Sequence, residues 1–128
     1  MNIGAASDAS GVSAKMIRYY ESIGLVPAPA RAGSGYRVYD QNDVRRLRFI
    51  HRAREFGFPI ERIRALIGLW QDGRPSREVK QIATAHVAEL RERIARLAAM
   101  AETVQHLADA CHGDNRPDCP ILRDLEKP

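Results

Sequence analysis

The 128-residue chain has no apolar run long enough to span a bilayer, and its first apolar residues are interrupted by Asp8 and Lys15. No signal peptide is read, and a cytoplasmic location is expected. Cysteine is scarce: Cys111 and Cys119 are the only two, and in a cytosolic chain such a pair points to metal ligation or thiol reactivity rather than a structural disulfide. There is no phosphate-cradling glycine motif, no nucleophile with a base and no acid/base pair, which argues against an enzyme. Low-complexity segments and internal repeats are missing. Proline and glycine are absent from the whole of residues 76–110.

That uninterrupted stretch is what the chain is organised around. Ala83, Val87, Leu90, Ile94, Leu97, Ala101, Val104 and Ala108 recur at alternating steps of four and three, and strong helix formers fill most of the rest. The pattern predicts one long helix with a coiled-coil seam. At ~1.5 Å per residue it would be about 50 Å long, more than so small a domain can cover. The expected partner is the same helix of a second copy, giving a homodimer. His86 and His106 are read as packing or surface residues of this helix, and Met16 and Met100 as core filler.

Charge is unevenly spread. Residues 1–74 carry 12 Lys/Arg against 7 Asp/Glu, whereas residues 75–128 carry 8 against 9. A basic first half suits a polyanion such as double-stranded DNA. Asn2 to Ser10 reads as a short helix stopped by Gly11, and Ser13 caps a second helix from Ala14 to Ile23. Two short helices around a glycine turn form a helix-turn-helix, whose second helix can enter the major groove. Ile17 would face inward there, with Lys15, Arg18 and Tyr19 or Tyr20 facing outward to phosphates or base edges.

Arg31 to Tyr39 then reads as a small hairpin, or wing, with Ser34 and Gly35 in its turn and Tyr36 and Val38 alternating with Arg37 and Tyr39. Arg31 and Arg37 would flank its tip. A third helix follows, capped by Asp40 or Asn42, running to Phe56 and burying Val44, Leu47, Ile50 and Ala53. A fourth begins at Pro59 and closes at Asp72-Gly73, with Ile63, Leu66, Ile67 and Trp70 packed on the third. Most arginines of the third helix form a solvated face, and Arg54, beside the Gly57 turn, is the one placed to reach a phosphate. The candidate DNA contacts are therefore Lys15, Arg18, Tyr19, Tyr20, Arg31, Gly35, Tyr36, Arg37 and Arg54.

The tail places seven residues, rich in turn formers, between Cys111 and Cys119. Pro120 suits the first position of a short helix to Leu125, whose exposed N–H groups would favour a thiolate at Cys119. Two thiolates with no third cysteine are a soft, low-coordination set suited to Cu(I), Ag(I) or Au(I), one ion per loop. Zn(II) would want four ligands, and His112, Asp114 and Asp118 are the extras available. A divalent site completed by His112 and a Cys111–Cys119 disulfide switch both remain open on these grounds.

The order of motifs resembles the MerR family of transcription regulators. Met1-Asn2-Ile3-Gly4, Gly11-Val12-Ser13-Ala14-Lys15, Ile17-Arg18-Tyr19-Tyr20-Glu21 and Gly24-Leu25 are similar to the opening of its members. Gly35-Tyr36-Arg37-Val38-Tyr39 and Ala53-Arg54-Glu55-Phe56-Gly57-Phe58 continue the likeness, although Ala5-Ala6-Ser7-Asp8 departs from the usual first helix. The cysteine loop resembles that of the copper-efflux regulators and their gold-responsive relatives, with His112 where a proline is common.

The resemblance implies a mostly α fold: a winged helix-turn-helix DNA-binding domain (1–74), an antiparallel coiled-coil dimerisation helix (75–110), and a metal-binding loop with a short C-terminal helix (111–128). It also implies that Ser76, at the position where divalent-metal sensors carry cysteine, approaches the loop of the other subunit. The implied function is a metal-responsive activator on a palindromic promoter. Metal would re-aim the two heads and distort the DNA until RNA polymerase can use it, switching on efflux or detoxification genes. A drug-sensing regulator would need a sizeable domain after the long helix, where 18 residues remain, and a metallochaperone would need no wing.

Overall fold

The computed structural model of the chain describes residues 1–33 and 35–128 and is mostly helical. It divides into two compact units, Met1–Ile82 and Ala83–Pro128.

In the first unit, local chemistry sets most element ends. Helix α1 (Ile3–Ser10) starts at Asn2, whose side chain accepts from the Ala5 N–H, and stops at Gly11 with φ 81°, a conformation that glycine adopts without strain. Ser13 accepts from the Met16 N–H and opens α2 (Ala14–Ser22), which ends one residue short of the expected Ile23. The wing is a pair of two-residue strands, β1 (Ala30–Arg31) and β2 (Arg37–Val38), antiparallel with Ala30 opposite Val38 and Arg31 opposite Arg37. Ser34, expected with Gly35 in the turn, lies outside the described residues.

Helix α3 (Gln41–Glu55) is capped by Asp40 rather than Asn42. Asp40 accepts from the Asp43 N–H while the Asp43 side chain accepts from the Asp40 N–H, a reciprocal box that satisfies two otherwise orphaned donors. Helix α4 (Ile60–Asp72) follows Pro59 and ends at Gly73.

The core of this unit is made by Ile17 of α2, Val44, Leu47 and Ile50 of α3, and Ile63 of α4, all essentially inaccessible to solvent. Full burial of one such side chain is worth about 1.5–3 kcal/mol. Trp70 remains 40% exposed, yet it does meet the preceding helix. Its ring stacks on Phe49 with centroids 4.6 Å apart, and the Arg45 guanidinium lies 5.7 Å from its centre. Two long-range ties hold helix ends together: Arg48 Nε donates to the Ala9 carbonyl at 2.9 Å, and Arg64 reaches the end of α2.

Helix α5 (Ser76–Ala110) runs 35 residues without interruption and supplies most of the second unit, which closes with α6 (Pro120–Leu125). His86 is its single buried residue. Val87, Ile94, Leu97 and Val104, four members of the expected seam, are exposed. Met100 is 56% exposed, so the expectation of core filler fails for it within this chain, whereas Met16 does pack against the core of the first unit. The physical reason is that, among the described residues, that part of α5 is left largely exposed. Among the described residues no helix is long and apolar enough to cross a membrane.

Candidate nucleic-acid interface and metal centre

The nine residues of α2 present two faces. Ile17 and Tyr20, three apart, point into the core, and Lys15, Arg18 and Tyr19 are exposed. This corrects the expectation for Tyr20. Its ring is 4% exposed because i, i+3 spacing stacks it beside Ile17, so the outward tyrosine is Tyr19, at 47%. The Tyr20 carbonyl also accepts the Leu25 N–H, fixing the chain as it leaves the helix.

The wing curls back on α2. Arg31 Nη1 donates to the Gly35 carbonyl at 2.9 Å, and Gly35 takes φ 85° at the tip, where Tyr36 stands 76% exposed. Arg18, Arg31, Tyr36 and Arg37 converge on one groove of about 410 Å³ beside Ile3. Three guanidinium groups around a groove of that size make a seat for phosphate. Arg37 is less free than its neighbours, because its Nη1 lies 2.9 Å from Glu21 Oε2. Arg54 is exposed and donates from Nη1 to the Phe58 carbonyl at 3.3 Å, so part of its guanidinium already holds the turn after α3.

Reasoning from sequence missed Glu21 and Tyr39. The Tyr39 hydroxyl donates to Glu21 Oε1 at 2.6 Å, and its own ring is 3% exposed. Burial first, and the Glu21 carboxylate second, push the Tyr39 pKa up to about 12. The available signal was spacing: Glu21 follows Ile17 by four residues, on the inward face of α2. Arg64 was missed as well, and nothing local in the sequence marks it.

In the second unit the cysteine loop folds back as the turn formers require. The two sulfurs lie 3.4 Å apart, far beyond a disulfide bond of ~2.05 Å, and both cysteines are free thiols, partly exposed. Cys119 stands at the N-cap of α6 with Pro120 first in the helix. It makes no conventional cap bond, but its thiol is held below the usual value. The Leu122 amide contributes most, then the Cys111 thiol, with smaller help from the Ile121 amide and the Arg123 charge against a desolvation cost.

The other candidate donors of the loop are occupied or turned outward. Asp114 accepts from Arg116 Nε at 2.8 Å and from the Arg116 N–H at 2.9 Å, and Asp118 pairs with Arg123 at 3.3 Å. His112 is exposed. Among the described residues, no three side chains of His, Cys, Asp or Glu gather as a metal cluster. The donor set therefore fits a soft ion held by two sulfurs. Ser76 is the first residue of α5 and Cys111 follows its last.

Residues 1–69 match the family described as MerR HTH family regulatory protein, and residues 44–107 match the family described as MerR, DNA binding. The chain belongs to the MerR family of transcription regulators. The heavy metal-dependent transcription regulator 2 of Rhizobium meliloti is 54% identical over 126 residues, covering 98% of this chain and 86% of that protein. The HTH-type transcriptional regulator CueR of Escherichia coli is 39% identical, covering 98% of this chain and 93% of its own length. The solved structure of PbrR691 from Ralstonia metallidurans, a transcription regulator in complex with lead(II), superposes with a TM-score of 0.84 at 32% identity, covering 98% of both chains.

As a MerR-family chain it carries the family's winged helix-turn-helix in α1 to α4. Both family matches stop before Cys111, whereas the relatives just named span nearly the whole chain, consistent with a CueR-like branch.

Proposed function

We propose that this protein is a cytoplasmic homodimeric activator that binds a palindromic promoter and senses Cu(I), Ag(I) or Au(I) through Cys111 and Cys119. The observation that carries the reading is the loop itself: two sulfurs 3.4 Å apart, with Asp114 and Asp118 both engaged by arginines. Two thiolates around a singly charged ion leave a net charge of −1. The first-turn amides of α6 and the Arg123 guanidinium are placed to offset it. The relatives support metal response in general, since one is named heavy metal-dependent and another was solved with lead(II).

Dimerisation is supported by the exposed seam of α5. The exposed apolar side chains of Val87, Ile94, Leu97 and Val104 suit a second, identical helix. The antiparallel arrangement has a geometric reason. A helix of 35 residues separates Ser76 from its own cysteine loop by about 50 Å, so only an antiparallel partner brings a Ser76 to each loop. Serine there adds no thiolate, which keeps the coordination low.

Lys15, Arg18, Tyr19, Arg31, Gly35, Tyr36 and Arg37 are the promoter contacts in this reading, with Arg54 at its margin. A change in head geometry on metal binding would bend the bound duplex and bring its promoter elements into register for RNA polymerase. Allosteric couplings of about 1–3 kcal/mol and DNA bending costs of about 1–6 kcal/mol are of matching size. The genes switched on would serve metal efflux or detoxification.

A divalent-metal sensor of the same fold is the second reading, favoured by the lead(II) complex of PbrR691. Promoter activation measured in turn with Cu(I), Ag(I), Au(I), Zn(II) and Pb(II) separates the two. Activation confined to the monovalent ions is expected. Response to Zn(II) or Pb(II) at lower concentration than to Cu(I) would overturn the assignment.

A further inference from the structure

Glu21 is the one acid on α2, and its side chain is only 8% exposed. An ionised carboxylate buried on a helix that faces a polyanion needs a reason, because it costs desolvation and repels phosphate. Its surroundings supply one. Oε1 accepts from the Tyr39 hydroxyl at 2.6 Å, and Oε2 lies 2.9 Å from Arg37 Nη1. That Nη1 is closed off from solvent and meets Glu21 as an ion pair without hydrogen-bond geometry, yet the Arg37 side chain as a whole is 33% exposed. The exposed remainder lines the groove shared with Arg18, Arg31 and Tyr36. Glu21 therefore holds one nitrogen of a planar, forked cation that also lines the place where phosphate would sit.

Two forces would otherwise move Arg37. Arg18 and Arg31 line the same groove, so like charges would push it outward, and an unheld arginine side chain has about 2 kcal/mol of rotamer entropy to lose on binding. We infer that Glu21 is a positioning residue for DNA recognition: it fixes Arg37 between the helix and the wing so that the free edge of the guanidinium is already aimed at a backbone phosphate. The inference rests on the DNA-binding reading of this head and names a residue that itself touches no DNA.

Charge counting and positioning predict opposite signs, which makes the inference testable. Removing a negative charge from the DNA-facing helix should tighten binding if only net charge matters. Positioning predicts the reverse. The full-length protein and two single variants, Glu21→Gln and Arg37→Ala, are titrated by fluorescence anisotropy against an inverted-repeat duplex that the wild type selects from a random pool, over a range of salt.

Glu21→Gln is expected to bind about tenfold more weakly and to lose about one unit of the log K against log salt slope, although no cation has been removed. Arg37→Ala should lose the same unit, and the double variant Glu21→Gln/Arg37→Ala should be no weaker than Arg37→Ala alone.

Unchanged or tighter binding by Glu21→Gln, or additive losses in the double variant, would each overturn the inference. Should Glu21→Gln not fold, an unaltered slope in Arg37→Ala would still overturn the inference by removing Arg37 from the phosphates, and a lost slope there passes the test to Glu21→Asp, which keeps the charge, withdraws the carboxylate from Arg37 and should lose the same unit. A wild-type protein that selects no duplex at all would instead sink the DNA-binding reading.

Discussion

Arg64 of α4 grips the departing end of α2: its Nη1 donates to the Gly24 carbonyl at 3.1 Å and its Nη2 to the Ile23 carbonyl at 3.0 Å. A cation at a helix C-terminus satisfies carbonyls that have no partner inside the helix and complements the dipole. Replacing Arg64 by Ala should lower stability by about 1 kcal/mol, a modest figure because the side chain is 40% exposed. Thermal unfolding should register a drop of roughly 4–8 °C in Tm. An unshifted Tm would mean that water replaces the arginine at no cost.

Tyr39 links stability to alkaline pH. Its folded pKa of about 12 lies above the usual 10.0. The folded state therefore favours the neutral hydroxyl, and the stability this contributes is fully present below about pH 10 and lost as pH rises through about 12. Absorbance titration of the phenolates should show a component that ionises only as the head unfolds and that Tyr39→Phe removes. A titration curve that Tyr39→Phe leaves unchanged above pH 10 would refute the buried pairing with Glu21.

Exposed apolar residues of α5 give a direct test of assembly. Leu97 is 60% exposed and Ile94 65% exposed. Leu97→Glu is expected to turn a dimer into monomer in sedimentation equilibrium, and to leave the first unit folded because no core residue is touched. If the wild-type protein itself sediments as a monomer, the homodimer proposal falls.

The sensing role proposed for the cysteines can be tested apart from DNA binding. Cys111→Ser and Cys119→Ser should each abolish the transcriptional response to Cu(I) and leave promoter affinity within a factor of about two, since neither lies in the basic head. X-ray absorption of the Cu(I)-loaded wild type should show two metal–sulfur bonds and no nitrogen. A nitrogen ligand would bring His112 into the site.

Much of the fold is legible because single residues dictate it. Ser13, Asp40 and Pro59 mark helix starts, Gly11 and Gly73 mark stops, and the buried face of α3 follows from its period alone. What could not be read depends on how distant parts of the chain meet. Whether Tyr19 or Tyr20 turns inward depends on which side of α2 the core lies. The grip of Glu21 on Arg37 and Tyr39 spans sixteen and eighteen positions and forms only once the wing closes on the helix. Arg64 meets Ile23 across 41 positions. In the cysteine loop the thiols were evident from spacing, but the capture of Asp114 by Arg116 and of Asp118 by Arg123 was not. Acids beside soft ligands invite a hard-ion reading until the competing arginines are placed.

The Phe49–Trp70 stack has a practical corollary for anyone watching the molecule respond. Trp70 is the sole indole, and residues 83–128 contain no tryptophan, tyrosine or phenylalanine. Every near-ultraviolet band and all intrinsic emission thus arise in the head, while the thiols sit in an optically silent half. A change in Trp70 emission when ions are added to the dissolved protein would be news passed from the second unit to the first, with no label attached.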